Sequence, residues 1–80
     1  MKKEVIMPKI GLDMDEGTIS SWIVKVGDRV KEGDTLVEIE TDKAVTEVQS
    51  TMNGTLVEIV AKEGDTVAIT KTIAWIETDD

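Results

Sequence analysis

Short runs of alternating apolar and polar residues fill the chain, and glycine-containing turns separate them. Valine, isoleucine and threonine dominate these runs, and all three are favoured in strands. No window shows a sustained helical period. The pattern therefore predicts an all-β protein. The predicted strands cover residues 4–10, 18–24, 29–30, 36–40, 45–49, 55–60, 66–67 and 73–77.

The segments between the predicted strands have the composition of tight turns. They read DEG, VGD, EGD, MNG and again EGD. Glycine accepts positive φ, and the Asn and Asp side chains bond to their own backbone, so each segment suits a turn. Pro8 lacks the N–H that a strand donates to its neighbour. We therefore expect its strand to lie at a sheet edge or to be bulged at that point.

The two halves of the chain repeat one another without a gap at an offset of 37 positions. Gly17 aligns with Gly54, and the run IETD that ends before Lys43 aligns with the one that ends before Asp80. Two such units are too few for a solenoid, so two β half-units closing around one core are expected, as a sandwich or flattened barrel. A pseudo-twofold axis would place the Lys43 turn and the C-terminal end on opposite sides of the domain.

The charge balance bears on which partners are excluded. Nine basic and seventeen acidic residues give a formal net charge of −8, which would repel phosphate backbones and anionic lipid. The longest apolar runs are far shorter than the roughly 20 residues of a membrane span. The basic start, MKKEVIMPKI, has no extended apolar segment and is not expected to be a signal peptide. Neither nucleic acid nor a membrane is an expected partner.

The side chains available for catalysis are few. The chain has no histidine and no cysteine, so histidine-based general bases and thiol chemistry are both excluded. The acidic cluster of Asp13, Asp15 and Glu16 could be imagined around calcium. It lacks the spacing of an EF-hand loop, however, and a solvated acidic loop is the favoured interpretation. The chain alone is expected to be no enzyme.

Lys43 follows Asp42 at the centre of a predicted hairpin, in the stretch VEIETDKAVTEV. An ordinary lysine, with a pKa of about 10.4, is a poor nucleophile at neutral pH. Two interpretations stay open: the lysine merely solubilises a turn, or the hairpin presents its amine to a modifying enzyme. Of the two aromatic residues, Trp22 is expected in the core and Trp75 half exposed.

The segments EIETDKA, VIMPKIGLDMDEGTI and GTLVEIVAKEGDTV closely resemble lipoyl domains, the swinging-arm carriers of 2-oxoacid dehydrogenase complexes. The resemblance covers essentially the whole chain, residues 1–80, as one attachment domain. It implies two four-stranded antiparallel sheets with quasi-twofold symmetry, and lipoate covalently attached to Lys43 between Asp42 and Ala44. Biotinyl domains share this fold, but there methionines flank the target lysine. The flanks of Lys43 therefore favour lipoate.

The resemblance also implies a reaction cycle and its partners. A ligase would join lipoate to Lys43, and a thiamine-diphosphate decarboxylase would reductively acylate the arm. The acyltransferase core would pass the acyl group to coenzyme A, and dihydrolipoyl dehydrogenase would reoxidise the dithiol. The segment MPKIGLDMDEG looks more like the pyruvate or acetoin type than the 2-oxoglutarate type. The implied location is the cytoplasm of a bacterium or archaeon, or the mitochondrial matrix of a eukaryote.

The resemblance further suggests where partners would recognise the domain. In this family the loop after the first strand lies beside the attachment turn. The isolated domain is expected to be a monomer, and an unmodified β interaction module is the alternative to a lipoylated carrier. The expected recognition residues are Gly11, Leu12, Asp13, Met14, Asp15, Glu16, Glu40 and Thr41.

Overall fold

The computed structural model describes residues 1–9, 14–41 and 44–78, and in these ranges all regular structure is β. The prediction of an all-β fold is confirmed. Within the same ranges, no helix has the length and hydropathy needed to cross a membrane. The strands are β1 (Lys2–Ile6), β2 (Glu16–Trp22), β3 (Arg29–Val30), β4 (Thr35–Glu40), β5 (Val45–Gln49), β6 (Gly54–Ile59), β7 (Thr66–Ala68) and β8 (Thr72–Thr78).

Two four-stranded antiparallel sheets face each other, in the orders β1-β8-β6-β3 and β5-β4-β2-β7. Each long pair β4–β2 and β8–β6 belongs to one half of the repeat, whereas the short edge strands β3 and β7 are exchanged between the halves. The two-sheet architecture and its internal symmetry were both expected. The exchange of short strands ties the halves together, so neither half is a separate unit.

The backbone bonds that join the halves repeat at the sequence offset. Ile19 N–H donates to the Asp65 carbonyl at 2.8 Å, and Leu56 N–H donates to the Asp28 carbonyl at 2.9 Å. The β2–β4 pairing shifts register after Ile19, and the β6–β8 pairing shifts register after Leu56. Even the irregularities of the two sheets therefore obey the quasi-twofold relation.

One turn design recurs three times, with the sequence Lys-x-Gly-Asp at residues 25–28, 31–34 and 62–65. In each, the aspartate Oδ2 accepts the N–H of the lysine three residues earlier at 2.9 Å. The glycine of each turn has a positive φ, between 91° and 100°, which a residue with a Cβ adopts only with strain. The predicted turn chemistry of the glycine-aspartate pairs is confirmed.

The inner faces of the two sheets form one apolar core. Burying a Leu, Ile or Val side chain stabilises the fold by about 1.5–3 kcal/mol relative to exposure, so this cluster is the main favourable contribution to folding. The buried core residues are Val5, Met7, Ile19, Val30, Leu36, Val37, Ile39, Leu56, Ala61, Ile73, Ala74 and Ile76.

Two details differ from the sequence prediction. The first strand covers Lys2–Ile6 and ends before Pro8, because its pairing with β8 is already irregular after Val5. It does lie at a sheet edge, as Pro8 suggested. Trp22 is only half-buried: it packs against the core, and its Nε1–H donates to the carbonyl of the buried Ala61 at 2.8 Å. Trp75 is half-buried beside the Lys2 ammonium, which lies 5.5 Å from the ring centroid.

Candidate functional site

The β4–β5 hairpin is paired up to the turn at its tip. Glu40 lies opposite Val45, and Thr41 closes the ladder by donating its backbone N–H to the Ala44 carbonyl at 2.9 Å. The Thr41 hydroxyl donates to the same carbonyl oxygen at 3.1 Å. Asp42 and Lys43, the expected attachment turn, lie outside the described residues, between these two fixed neighbours.

The surroundings of the turn are open. Strand β5 is at the edge of its sheet, Glu40 and Ala44 are exposed, and Val45 exposes 53% of its surface. Ile39, the next apolar residue inward, is fully buried. The hairpin is thus anchored in the core through β4, while the residues bordering its tip are accessible to another protein.

The end of the predicted recognition loop packs beside this hairpin. Thr18 of β2 lies opposite Glu40 of β4, so the residues before β2 run alongside the turn. A Cβ added to Gly17 would lie 2.7 Å from Ile39 Cγ2 and 2.8 Å from Met14 Cε, which shows how closely Met14 approaches the β4 core residue. Met14 is half-buried as a result.

The described acidic residues of this loop, Asp15 and Glu16, face the solvent. The Asp15 carbonyl accepts the Ile69 N–H at 3.0 Å, which fixes the backbone. The structure therefore brings Met14, Asp15 and Glu16 to the same end of the domain as Glu40 and Thr41. The other expected recognition residues, Gly11, Leu12 and Asp13, lie outside the described residues.

The quasi-twofold relation shows that this loop is longer than the fold requires. Met7 N–H donates to the Lys71 carbonyl at 2.9 Å, and Ser50 N–H makes the equivalent bond to Asp34 at 2.8 Å. From Met7 to Gly17 the chain uses the nine residues 8–16, whereas from Ser50 to the equivalent Gly54 it uses only residues 51–53. The connection before β2 is therefore six residues longer than its repeat equivalent, and its described end, residues 14–16, lies next to β4.

Residues 1 and 78 form hydrogen bonds like those of residues 44 and 41 at the hairpin. Thr78 N–H and its hydroxyl both donate to the Met1 carbonyl, at 2.7 and 2.8 Å. Glu77 of β8 lies beside the Met1 ammonium at 3.6 Å. Hence Thr78 and Met1 match Thr41 and Ala44 in the quasi-twofold relation.

Sequence reasoning missed two features of the site. The Thr41 hydroxyl donates back to the Ala44 carbonyl, a contact that was not predicted from the sequence. The alignment of Thr41 with Thr78 in the repeat was the available signal. The role of Thr41 in partner recognition stays a prediction. Val45 was identified only as a strand residue, yet it is the exposed apolar side chain next to the turn. Its position two residues after Lys43 in an edge strand could have indicated this.

The chain matches one protein-family model, described as "Biotin-requiring enzyme", over residues 3–76. A lipoamide acyltransferase component of the branched-chain alpha-keto acid dehydrogenase complex of Bacillus subtilis is 42% identical over 77 residues, 96% of this chain and 18% of the relative. An acetyltransferase component of the pyruvate dehydrogenase complex of Corynebacterium glutamicum is 47% identical over 73 residues, 91% of this chain and 11% of the relative. The chain therefore spans less than a fifth of the length of these relatives.

Two solved structures share the fold. The solution structure of the lipoyl domain of the 2-oxoglutarate dehydrogenase complex from Azotobacter vinelandii has a TM-score of 0.78 and 34% identity. That match covers 96% of this chain and 98% of the other. Kluyveromyces lactis urea carboxylase has a TM-score of 0.80 at 26% identity over 96% of this chain and 6% of that one. The match to a complete lipoyl domain supports a carrier domain without a catalytic centre of its own.

Proposed function

Because the chain belongs to the biotin/lipoyl attachment family, we propose that Lys43 is its attachment residue and that lipoate is the group attached. The observation that carries this proposal is the closed β4–β5 hairpin, whose tip holds the sequence Asp42-Lys43 between Thr41 and Ala44. The exposed Ala44 and Val45 leave room for a modifying enzyme and for an arm that extends into solvent. When attached, lipoate supplies a dithiolane that exchanges acyl groups and electrons.

Lipoate is favoured over biotin by the residues at the turn and by the relatives. Asp42 and Ala44 stand where biotinyl domains have methionines. The Azotobacter lipoyl domain is 34% identical to this chain, against 26% for urea carboxylase. The similar curated proteins are lipoamide or dihydrolipoyllysine acyltransferase components. Together these observations support an amide between the carboxyl group of lipoate and Nζ of Lys43.

The domain acts as a carrier within a 2-oxoacid dehydrogenase complex. The chain holds the attachment amine on a rigid hairpin, and tethering raises the effective concentration of the arm at each active site of the complex. Its partners in this proposal are a lipoate ligase, a thiamine-diphosphate decarboxylase, the acyltransferase core and dihydrolipoyl dehydrogenase. Residues 1–80 form the single attachment domain, monomeric on its own. The bacterial relatives support a cytoplasmic complex.

The 2-oxoacid served by the complex is a finer question. Relatives from branched-chain, 2-oxoglutarate and pyruvate complexes are 42%, 46% and 47% identical. These values support the acyltransferase class and do not single out the pyruvate type that the segment MPKIGLDMDEG suggested. The loop that precedes β2 is the proposed recognition element, because its described end approaches β4 through the packing of Met14 near Ile39.

Intact-mass measurement after incubation with lipoate, ATP and lipoate ligase tests the proposal. Wild type should gain one lipoyl group, and Lys43→Arg should gain none although the other lysines remain. A further variant, in which Asp42 and Lys43 are exchanged, moves the amine by one position and should be modified much more slowly, since neighbouring residues on a turn present different faces. No modification of wild type would instead favour an unmodified interaction module, whereas modification of Lys43→Arg would show that a different lysine is the attachment residue.

A further inference from the structure

A second surface, away from the hairpin, has the composition of a binding site. An open cleft of about 380 Å³ lies where β2 and β6 end, lined by an apolar floor and two lysines. We call it the axial cleft. Its lining residues are Trp22, Val24, Lys25, Val26, Ile59, Lys62 and Glu63.

The axial cleft lies on the quasi-twofold axis of the domain. At the repeat offset Trp22 is equivalent to Ile59 and Lys25 to Lys62, and both members of each pair line the cleft. A single cleft bordered by both members of symmetric pairs must straddle the axis that relates them. The cleft therefore lies where the quasi-twofold axis meets the surface of the domain.

Trp22 forms a fixed part of the cleft. Its Nε1–H donates to the Ala61 carbonyl at 2.8 Å, so the indole of one half is held on the loop of the other. Glu63 Oε1 lies 3.5 Å from the Trp22 backbone nitrogen, which partly compensates the one negative charge of the lining. An anchored aromatic ring needs little ordering when a ligand binds, which favours its use as a contact surface.

Exposed apolar side chains also occur on the two loops that contribute the lining of the cleft. Ile23 and Val60, which are equivalent in the repeat, expose 52% and 47% of their surface, and Val26 exposes 57%. These are three of the seven large hydrophobic residues that the described part of the chain leaves exposed. Such a grouping on two adjoining loops marks an interaction surface more often than scattered single residues do.

The charge of the cleft identifies the kind of partner. Lys25 and Lys62 stand on either side of the apolar floor, and no carboxylate of the described residues lies within ion-pair distance of either. The lining itself carries a formal charge of +1, two lysines against Glu63, in a chain of net charge −8. Complementary potentials favour association, so the rim selects negative groups while the floor selects an apolar one.

We propose that the axial cleft is a docking site for an acidic polypeptide segment in which an apolar side chain is flanked on both sides by carboxylates. The apolar side chain packs over Trp22 and Ile59, and the carboxylates meet Lys25 and Lys62. Both loops also carry exposed apolar side chains outside the lining, so an extended chain suits this surface better than a compact small molecule. Because the rim is quasi-symmetric, such a segment can bind in either chain direction.

Docking at this site leaves the attachment turn free. Trp22 pairs with Val37, whereas Thr18 pairs with Glu40 next to the turn. Four residues along β2 separate the two levels, a distance of about 14 Å at the usual rise of a strand. A partner held in the axial cleft would therefore keep the domain nearby without covering the hairpin tip, a role separate from modification at Lys43.

Titration of ¹⁵N-labelled domain with a blocked peptide of sequence GSDELLEDSG tests this site. The Lys43→Arg variant is used, so that the result does not depend on lipoylation. We expect chemical-shift changes confined to residues 22–26 and 59–63, including the Trp22 indole N–H. The expected dissociation constant is about 0.1–1 mM. The peptides GSKKLLKKSG and GSDESSEDSG, which reverse the charge and remove the apolar anchor, should leave these signals unchanged.

Charge-matched double variants provide the control. Lys25→Glu with Lys62→Glu should weaken binding at least about tenfold, whereas Lys31→Glu with Lys71→Glu, which has the same net charge, should change it less than about twofold. Equal losses in both variants, or no shift at the cleft with the acidic peptide, would overturn the proposal. So would binding of decanoate as tightly as the peptide, or concentration-dependent shifts of the cleft signals without any peptide.

Discussion

Thr41 and Thr78 occupy equivalent places at opposite ends of the domain, and each donates its backbone N–H and its hydroxyl to one carbonyl oxygen. For Thr41 the acceptor is Ala44, across the attachment turn, at 2.9 and 3.1 Å. For Thr78 the acceptor is Met1, at 2.7 and 2.8 Å. The same device therefore closes a turn at one end and joins two chain termini at the other.

This equivalence separates stability from modification. Thr41→Val removes the hydroxyl at the turn while preserving shape, so lipoylation should slow about fivefold, the kinetic equivalent of one hydrogen bond of about 1 kcal/mol. Thr78→Val should lose about 1 kcal/mol of unfolding free energy because the hydroxyl is buried, with lipoylation unchanged. Urea denaturation and single-turnover mass measurements on both variants check this. A slower reaction in Thr78→Val would contradict it.

The loop before β2 is predicted to be recognised by the decarboxylase but not by the lipoate ligase. Replacing Leu12, Asp13 and Asp15 by glycine or serine removes its acidic and apolar side chains, while retaining Met14 preserves the packing against Gly17 and Ile39. Lipoylation should stay nearly unchanged, and reductive acylation by the cognate decarboxylase should fall about tenfold or more.

Both rates should be measured on the same purified loop variant after circular dichroism confirms its fold. A second variant, Met14→Ser, serves as the comparison, because losing a half-buried side chain should lower stability more than it lowers recognition. Equal losses of lipoylation and acylation in the loop variant would show that the loop is no specificity element.

The equivalent glycines Gly17 and Gly54 should differ in their tolerance of alanine. A Cβ on Gly54 would fall on the backbone carbonyl of Glu77, which cannot move without breaking the β6–β8 ladder. Gly54→Ala should therefore cost about 3 kcal/mol or more. A Cβ on Gly17 meets Ile39 Cγ2 and Met14 Cε, which are both side-chain atoms. The methionine can move aside but the branched Ile39 has to shift slightly, so Gly17→Ala should cost about 2 kcal/mol, less than Gly54→Ala.

Urea denaturation of Gly17→Ala and Gly54→Ala, with equal m-values required, measures the difference. Gly27→Ala is a useful third variant, because its Cβ would meet nothing within 4 Å while its φ is 100°. Its loss reports backbone strain alone. The steric explanation would be wrong if Gly54→Ala were no more destabilised than Gly27→Ala.

Thr70 is predicted to be a strained residue whose replacement by glycine stabilises the domain. It has a φ of 73° and stands at the repeat position of Gly33, whose φ is 95°. Thr70 donates its N–H to the Met7 carbonyl, and Gly33 donates its N–H to the Ser50 carbonyl, both at 2.8 Å. A β-branched residue pays about 1–2 kcal/mol in this region, partly offset by the greater unfolded-state freedom of glycine. Thr70→Gly should gain about 0.5–1 kcal/mol.

The reciprocal substitution is the control, since Gly33→Thr should lose about 1–2 kcal/mol at an otherwise equivalent turn. Thermal or urea unfolding of the two variants and of the wild type suffices. A loss of stability in Thr70→Gly would mean that the threonine side chain makes contacts worth more than its backbone strain.

Local features of the fold were predictable because they depend on short stretches. The strands at residues 29–30 and 45–49 were predicted with the bounds that the structure shows, and the Lys-x-Gly-Asp turns follow from glycine and aspartate chemistry. Strand β2 begins earlier than predicted because Glu16 and Gly17 pair with β7, some fifty residues away in the chain. Alternation within a segment holds no information about such a partner.

The symmetry was visible in sequence only in part. The offset of 37 positions aligns β2 to β4 with β6 to β8, but β1 and β5 match at an offset of 43 positions and share little beyond Glu4 with Glu47 and Val5 with Val48. Without that second offset, neither the surplus residues of the loop before β2 nor the pairing of Thr78 with Met1 could be found. The half-buried position of Trp22 was also missed. Trp22 lines a cleft on the quasi-twofold axis together with its equivalent Ile59, and their proximity is not visible in the sequence.

The hydrogen bond between Thr78 and Met1 brings residues 78 and 1 together, as the bond between Thr41 and Ala44 joins the two strands of the hairpin. Joining residues 78 and 1 through a short link and opening the chain between residues 42 and 43 would give a circular permutant that keeps every strand pairing. The permutant would begin at residue 43 and end at residue 42, and the chain would be continuous from residue 78 to residue 1. Equal stability of such a permutant would show that the bonds of Thr41 and Thr78 close the two connections equally well.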